Sequence, residues 1–387
     1  MMTTIKRQIR RMKFWGLMGA LGLWGCSDDA ENGGGGQQKR VIATVYAGQY
    51  SDVDGVGTRA WYDTYGYGPY SYISGAFENL SDLSDNSIGV FFTQGNDKLS
   101  GLLQKYTPSG GGAPYWMTAI NATAGDYNIY GYIPVTDISG ANISAINASY
   151  GQGAVMTLSG LPAVTGNDYC VTVGVLKGDD AAGPDEGNLG SFAYQMTAGS
   201  GNYMFLLFDH LYAALRLQFK VDASYAALRQ IRLKKIEMAA DGVGKVTCTV
   251  RLTPNNTGAN PITSVEFAAE SVSGPSNEVI YEAAGSSPGV TLTTGGSNFY
   301  AGFLPSYMDG VNTERITRFT LHTTYDVYDR KDNLVRERCE ADNVINLPTG
   351  FGNFERGKIK TLTLTVNPTY LYVLSEPDLD NPTLIIE

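Results

Sequence analysis

The feature that most constrains the fold of this chain is the alternation of apolar and polar residues along many short segments. Leu215, Leu217, Phe219 and Val221 alternate with charged and amide side chains. Successive side chains of a strand point to opposite faces, so a period of two predicts strands with one buried and one wet face, as antiparallel sheets have. The same pattern predicts further strands at residues 41–47, 88–93, 127–133, 169–177, 203–208, 231–238, 245–252, 298–304, 319–325 and 362–366.

The rest of the sequence also favours an all-β protein. No long amphipathic helix is present, and at most a short helical turn fits near residues 225–229. The 47 glycines and 25 tyrosines supply turns and strand residues, and many short strands separated by turns indicate β-sandwiches. A Gly/Ser-rich stretch at residues 197–202 predicts a boundary between an N-terminal sandwich domain at 41–200 and a C-terminal one at 201–387.

The N-terminus has the features of an export signal. Residues 1–13 hold five basic and no acidic side chains, and an apolar run of eleven residues follows at 14–24. This run is too short to span a bilayer, which takes about 20 residues, so residues 1–25 are predicted to be a signal peptide. The sequence Leu-Trp-Gly-Cys ending at Cys26 resembles the lipobox of bacterial lipoproteins. That resemblance implies lipidation at Cys26, with a diacylglycerol on the thiol and an acylated amine.

An acidic, Gly-rich tether is predicted at residues 26–40, between the lipid site and the first strand. The full chain carries a formal net charge of −10, and removal of the basic signal peptide makes the remainder more acidic still. An acidic surface disfavours binding to nucleic acid, so no nucleic-acid partner is expected.

The residues needed for catalysis or metal binding are scarce. There are two histidines, His210 and His322, and we interpret the first as a structural, hydrogen-bonded residue and the second as exposed. Beyond Cys26, the cysteines are Cys170, Cys248 and Cys339, and no two of them have metal-ligand spacing. Cys248 is expected to face a core, and one disulfide is left open. The sequence therefore predicts no enzyme, no catalytic residues, no metal site and no cofactor.

One alternative function rests on aromatic residues in a Gly-rich segment. Their side chains can stack on sugars, which would suit a surface glycan-binding lipoprotein, although core packing and turn filling are the commoner explanations for such residues. The aromatic residues concerned are Trp61, Tyr62, Tyr65, Tyr67, Tyr70 and Tyr72.

Three short motifs together resemble the fimbrillin family, the lipoprotein-derived pilus subunits of Gram-negative anaerobes. The first is Thr-Arg-Ala at residues 58–60, shortly after the first predicted strand. The second is FDHLYAALRL at 208–217, and the third is NPTYLYVLSEPDLD at 367–380. Similarity extends over the chain that follows the signal peptide.

This resemblance implies a fold and a mechanism of assembly. The fold is two tandem transthyretin-like Greek-key β-sandwich domains. The subunit reaches the outer membrane as a lipoprotein, and an arginine-specific protease cuts between Arg59 and Ala60. The cut removes the lipid and the first strand, and a strand from another fimbrial subunit fills the groove. The product is a cell-surface fimbria that supports adhesion.

The C-terminal segment, residues 368–387, is the predicted donor strand. Tyr370, Tyr372 and Leu374 would lie on one side of an extended segment and Leu371 and Val373 on the other, with a last apolar run containing Leu384 and Ile386. The alternative is an ordinary last strand of the second domain. Because no further domain is evident after the second sandwich, a stalk subunit is favoured over a tip subunit, and a lipid-retaining anchor subunit stays open.

Overall fold

The structure is built almost entirely of β-strands, which confirms the all-β prediction. It is a computed structural model. The residues it describes are 38–48, 51–52, 67–69, 88–106, 109, 115–135, 138–179, 183–186, 189–198, 201–241, 244–270, 277–305, 307–308, 311–312, 316–347, 354–367 and 378–386.

The elements are numbered in chain order. The first fourteen strands are β1 Gln38–Gly48, β2 Ser51–Asp52, β3 Tyr67–Pro69, β4 Ile88–Gln94, β5 Asp97–Tyr106, β6 Tyr115–Asn121, β7 Gly125–Ile133, β8 Gly140–Ala148, β9 Gly151–Pro162, β10 Val164–Thr165, β11 Cys170–Asp179, β12 Gly183–Glu186, β13 Ala193–Met196 and β14 Asn202–His210. The remaining elements are β15 Ala213–Val221, α1 Ala223–Ala226, β16 Arg229–Ala240, β17 Lys245–Leu252, β18 Ile262–Ala269, β19 Glu278–Glu282, β20 Val290–Thr291, β21 Ser297–Phe303, β22 Tyr307–Met308, β23 Val311–Asn312, β24 Arg318–Asp329, β25 Leu334–Asn346, β26 Lys358–Asn367 and β27 Asp378–Ile386.

The strands predicted from alternation are present, and β15 shows why the pattern works. Leu215, Leu217 and Phe219 are buried, while the polar residues between them are partly exposed. The short helical turn predicted near residues 225–229 is α1, which starts slightly earlier. Its N-cap is Asp222, whose carboxylate accepts a hydrogen bond of 2.8 Å from the backbone N–H of Ser224. Within the described ranges, no helix has the length and apolar character needed to cross a bilayer.

The described strands form four larger sheets and one two-stranded sheet. Sheet A has the strand order β12-β11-β14-β1-β6-β5-β4-β7-β13, with β3 also paired to β1 and β11 also paired to β7. Sheet B has the order β10-β21-β15-β26-β2, with β27 also on β26. Sheet C has the order β18-β17-β9-β8, and sheet D has the order β19-β16-β24-β25 with β20 on β16. Strands β22 and β23 pair with each other.

Two of these sheets, B and D, share a hydrophobic core. Leu217 of β15 and Leu364 of β26 belong to the same buried cluster as Ile236 of β16 and Leu321 of β24. Sheet C contributes to this cluster as well, and its central pairing joins β9 to β17 across the boundary predicted near residue 200. Division into domains 41–200 and 201–387 stays a prediction.

The three cysteines that the structure describes are buried and form no disulfide bonds. Cys170, Cys248 and Cys339 are all free, so the disulfide left open from the sequence does not form among them. Cys248 is fully buried beside apolar residues of β17, which confirms its predicted core position.

Candidate strand-exchange groove

Strand β1 lies in the interior of sheet A and not at its edge. Residues 41–47 run parallel to residues 202–208 of β14, and residues 38–43 run antiparallel to residues 116–121 of β6. Residues 41–43 therefore have a strand on each side. The first described strand is thus inserted between two strands that come much later in the sequence.

The side chains of this central part of β1 are buried on both faces. Val41 and Ala43 are 0% exposed and belong to the core cluster of sheet A, whereas Ile42, which points to the opposite face, is 6% exposed. Lys39 is also buried, and its ammonium donates a hydrogen bond of 2.5 Å to the carbonyl oxygen of Ala198. Fully burying a Val or Ile side chain contributes roughly 1.5–3 kcal/mol, so these residues hold β1 in place.

The strands on either side of β1 would form a groove without it. Its floor is apolar, because Trp116 of β6 and Leu206 of β14 belong to the same cluster as Val41. Each wall would present a row of backbone N–H and C=O groups that now pair with β1. Tyr194, also in the cluster, donates a hydrogen bond of 3.0 Å to the carbonyl of Tyr203, and burial raises its pKa to about 12. An apolar groove between two unpaired strand edges is a site that accepts an extended segment.

The C-terminal strand occupies a different position. Strand β27 runs antiparallel along β26 in sheet B, with Leu384 opposite Leu364 and Ile386 opposite Leu362. The last apolar run therefore pairs with a strand of the same chain, as an ordinary last strand of the second domain would. The other donor candidates, Tyr370, Leu371, Tyr372, Val373 and Leu374, lie outside the described residues.

The predicted processing residues also lie outside the described part of the chain. Cys26 precedes β1, and Arg59 and Ala60 fall between β2 and β3. Strand β2 pairs with β26, and β3 pairs with the end of β1. The segment with Arg59 therefore connects β2, which is in sheet B, to β3, which pairs with β1. A cut in this segment would leave β1 held to the later part of the chain by non-covalent contacts.

His210 occupies the position expected of a structural residue, whereas His322, which was expected to be exposed, is only partly so. His210 is 1% exposed, ends β14, and lies with its Nδ1 atom 3.0 Å from the Asp168 carboxylate. His322 is partly exposed on β24, and its Nδ1 atom is 2.5 Å from the carboxylate of Asp342 on the neighbouring β25. Sequence reasoning missed the approach of Cys170 to His210, because these residues are 40 positions apart.

Comparison with known proteins gives structural matches alone. No family model matches the chain, and no curated protein matches it. A candidate cell adhesion protein from Bacteroides fragilis is similar in structure, at 12% identity and a TM-score of 0.42, over 91% of this chain and 98% of that chain. A second such protein, from Bacteroides uniformis, is similar at 9% identity and a TM-score of 0.37, over 90% and 97%.

The fimbrial anchor protein Mfa2 from Porphyromonas gingivalis is also similar, at 10% identity and a TM-score of 0.25, over 89% of this chain and 95% of that chain.

Proposed function

We propose that this chain is a structural subunit of a cell-surface fimbria, exported as a lipoprotein and polymerised by strand exchange after proteolytic loss of its first strand. The observation that carries the proposal is the insertion of β1 between β6 and β14. Loss of an edge strand would leave a sheet nearly intact. Loss of this strand opens a groove that another extended chain can fill.

The order of elements along the chain supports coupling between release and assembly. Cys26, the predicted lipid site, comes before β1, and Arg59 comes after it. One cut after Arg59 would therefore free the lipid and β1 together. On this proposal the lipid delivers the subunit to the outer membrane, and the two halves of the processed chain adopt the tandem transthyretin-like sandwiches of the fimbrillin fold.

The donor in this proposal is the C-terminal segment of another subunit. Among the strands that the structure describes, β27 (residues 378–386) is hydrogen-bonded to β26 alone. A strand held along one side is easier to detach than one held along both. Its apolar residues, with those at 370–374, would then replace the buried residues of β1 in the groove.

A disulfide lock across the groove tests the proposal directly. Ile42 lies opposite Met117 in the antiparallel pairing of β1 with β6, so Ile42→Cys with Met117→Cys should tether β1 to its neighbour. The matched control is Thr249→Cys with Glu266→Cys, an antiparallel pair between β17 and β18 that does not involve β1.

Both proteins are treated with an arginine-specific protease and examined for a new N-terminus at Ala60 and for SDS-resistant ladders. We expect the locked protein to be cut but to stay monomeric until a reductant is added, whereas the control forms ladders in either condition. Ladders from the locked, oxidised protein would refute exchange at β1. Intact polymerisation after deletion of residues 368–387 would refute the donor assignment.

A further inference from the structure

A cluster of three different metal-binding side chains lies at one end of the groove. Asp168 stands two residues before Cys170, the first residue of β11, and His210 is the last residue of β14. Cys170 and His210 face each other in the antiparallel pairing of these strands. All three residues are buried, at 3%, 0% and 1% exposure.

The distances within the cluster suit one shared ion. The Cys170 Sγ atom is 3.4 Å from His210 Nδ1, the same nitrogen is 3.0 Å from Asp168 Oδ1, and the three ligand atoms all lie within 4.8 Å of one another. For a tetrahedral zinc ion, the usual bond lengths place sulfur and nitrogen ligands about 3.5 Å apart and nitrogen and oxygen ligands about 3.4 Å apart. To reach tetrahedral geometry, the sulfur–nitrogen and nitrogen–oxygen distances would change by a few tenths of an ångström, and the sulfur–oxygen distance by about 1 Å at most.

We propose that Asp168, Cys170 and His210 bind a zinc ion, through a carboxylate oxygen, a thiolate sulfur and the Nδ1 nitrogen. Thiolate, imidazole and carboxylate are the ligand types that zinc takes in proteins. The two negative charges of the thiolate and the carboxylate balance the two positive charges of the ion, so a neutral unit is buried. The thiol proton is released to solvent on binding. The proton on His210 Nδ1, which faces the Asp168 carboxylate without metal, leaves that nitrogen, so the bound neutral imidazole carries its one proton on Nε2.

Neighbouring contacts fix the backbone that carries these ligands. The backbone N–H of His210 donates a hydrogen bond of 2.9 Å to Asp209 Oδ1, and its carbonyl accepts one of 2.9 Å from Arg356 Nη1. Arg356 also contacts Asp209 Oδ2, at 2.8 Å. Such supporting contacts orient metal ligands and limit their motion. Bound zinc would therefore join the start of β11 to the end of β14, the strand against which β1 lies.

The proposal differs from the expectation of no metal site that the sequence supports. Spacing cannot reveal this site, because only Asp168 and Cys170 are close in the sequence and the third ligand is brought in by strand pairing. Since the ligands are buried, we expect zinc to enter as the two strands come together, so that binding and folding are coupled.

The test measures zinc in the full chain refolded with equimolar Zn²⁺ and then dialysed against a chelator. We expect one zinc per chain, and at least a tenfold weaker retention in Cys170→Ser. The matched control is Cys248→Ser, which changes an equally buried thiol outside the cluster and should keep its zinc. Replacing Zn²⁺ by Co²⁺ should give a thiolate charge-transfer band in the unaltered chain that is absent from Cys170→Ser.

Two results would overturn the proposal. The first is less than a tenth of an equivalent of zinc in the unaltered chain, which would mean that the three residues are joined by hydrogen bonds alone. The second is equal zinc retention in Cys170→Ser and Cys248→Ser. Should Cys170→Ser fail to fold by circular dichroism, the cobalt spectrum of the unaltered chain decides, because without a charge-transfer band no thiolate binds the metal.

Discussion

The burial of Val41 in the middle of sheet A leads to a quantitative prediction for Val41→Ala. The substitution removes two buried methyl groups, which is about 1.6 kcal/mol at roughly 0.8 kcal/mol for each buried carbon group. Because strands flank this residue on both sides and its side chain is 0% exposed, the site cannot collapse fully and a cavity term is added. The expected loss in the free energy of unfolding is about 2–3 kcal/mol.

The assay is urea unfolding followed by tryptophan fluorescence. Trp116 is 7% exposed and lies opposite Ala43 of β1, so its emission reports on this part of the sheet. The matched control is Val344→Ala on β25, where the side chain is 56% exposed. We expect this control to change the free energy of unfolding by less than about 0.5 kcal/mol.

The comparison of the two valines has a clear refuting result. If Val41→Ala lowers the urea midpoint no more than Val344→Ala, then β1 is not a packed part of sheet A, and the argument that its removal opens an apolar groove fails. A larger loss at Val41 with an unchanged urea dependence of the free energy would support the packing described here.

Three further predictions follow from close packing and burial. Gly153→Ala should lower the free energy of unfolding by about 1–3 kcal/mol, because a Cβ atom there would come 2.3 Å from the Leu252 carbonyl oxygen. The control Gly140→Ala has open space around it and should leave stability unchanged, and equal urea midpoints for the two variants would contradict this. Burial raises the pKa of the Cys248 thiol, so iodoacetamide at pH 8 should modify Cys248 in urea but not in the native chain, as mass spectrometry can show. Burial raises the pKa of Tyr194 from 10.0 to about 12, so the unfolded chain loses this proton first and stability should fall between pH 10 and about 12. Tyr194→Phe should flatten the dependence of the melting temperature on pH in that window. An unchanged slope would refute the raised pKa of Tyr194.

The sequence predicts strands well where one face is apolar and the other polar. Strands β15, β24 and β26 are of this kind, and all three are confirmed. Strand β25 is not predicted by alternation, because it is rich in charged residues and its buried positions do not form an apolar stripe. These positions are Cys339, Ala341, Asn343 and Ile345. Its role as a strand depends on pairing with β24, a tertiary contact that no local pattern contains.

The candidate groove was predictable only in part. The apolar run at residues 41–47 marks β1 as a strand, but nothing local indicates that β6 and β14 lie on its two sides. The same limit applies to the cluster of Asp168, Cys170 and His210, which register between strands brings together. In both cases the decisive information is which distant segments pair, and that depends on the packing of the whole sheet.

The parallel pairing of β1 with β14 has a consequence for the time course of folding. The contact between Lys39 and Ala198 joins positions 159 apart in the chain. Pairings this distant are slow to form, because the entropy of closing the intervening loop is lost before any contact is gained. During synthesis and export, the first strand to emerge would therefore be among the last to acquire both of its neighbours. Its docking onto a sheet already formed from later strands would be, within one molecule, the same physical event as the arrival of a strand from another subunit.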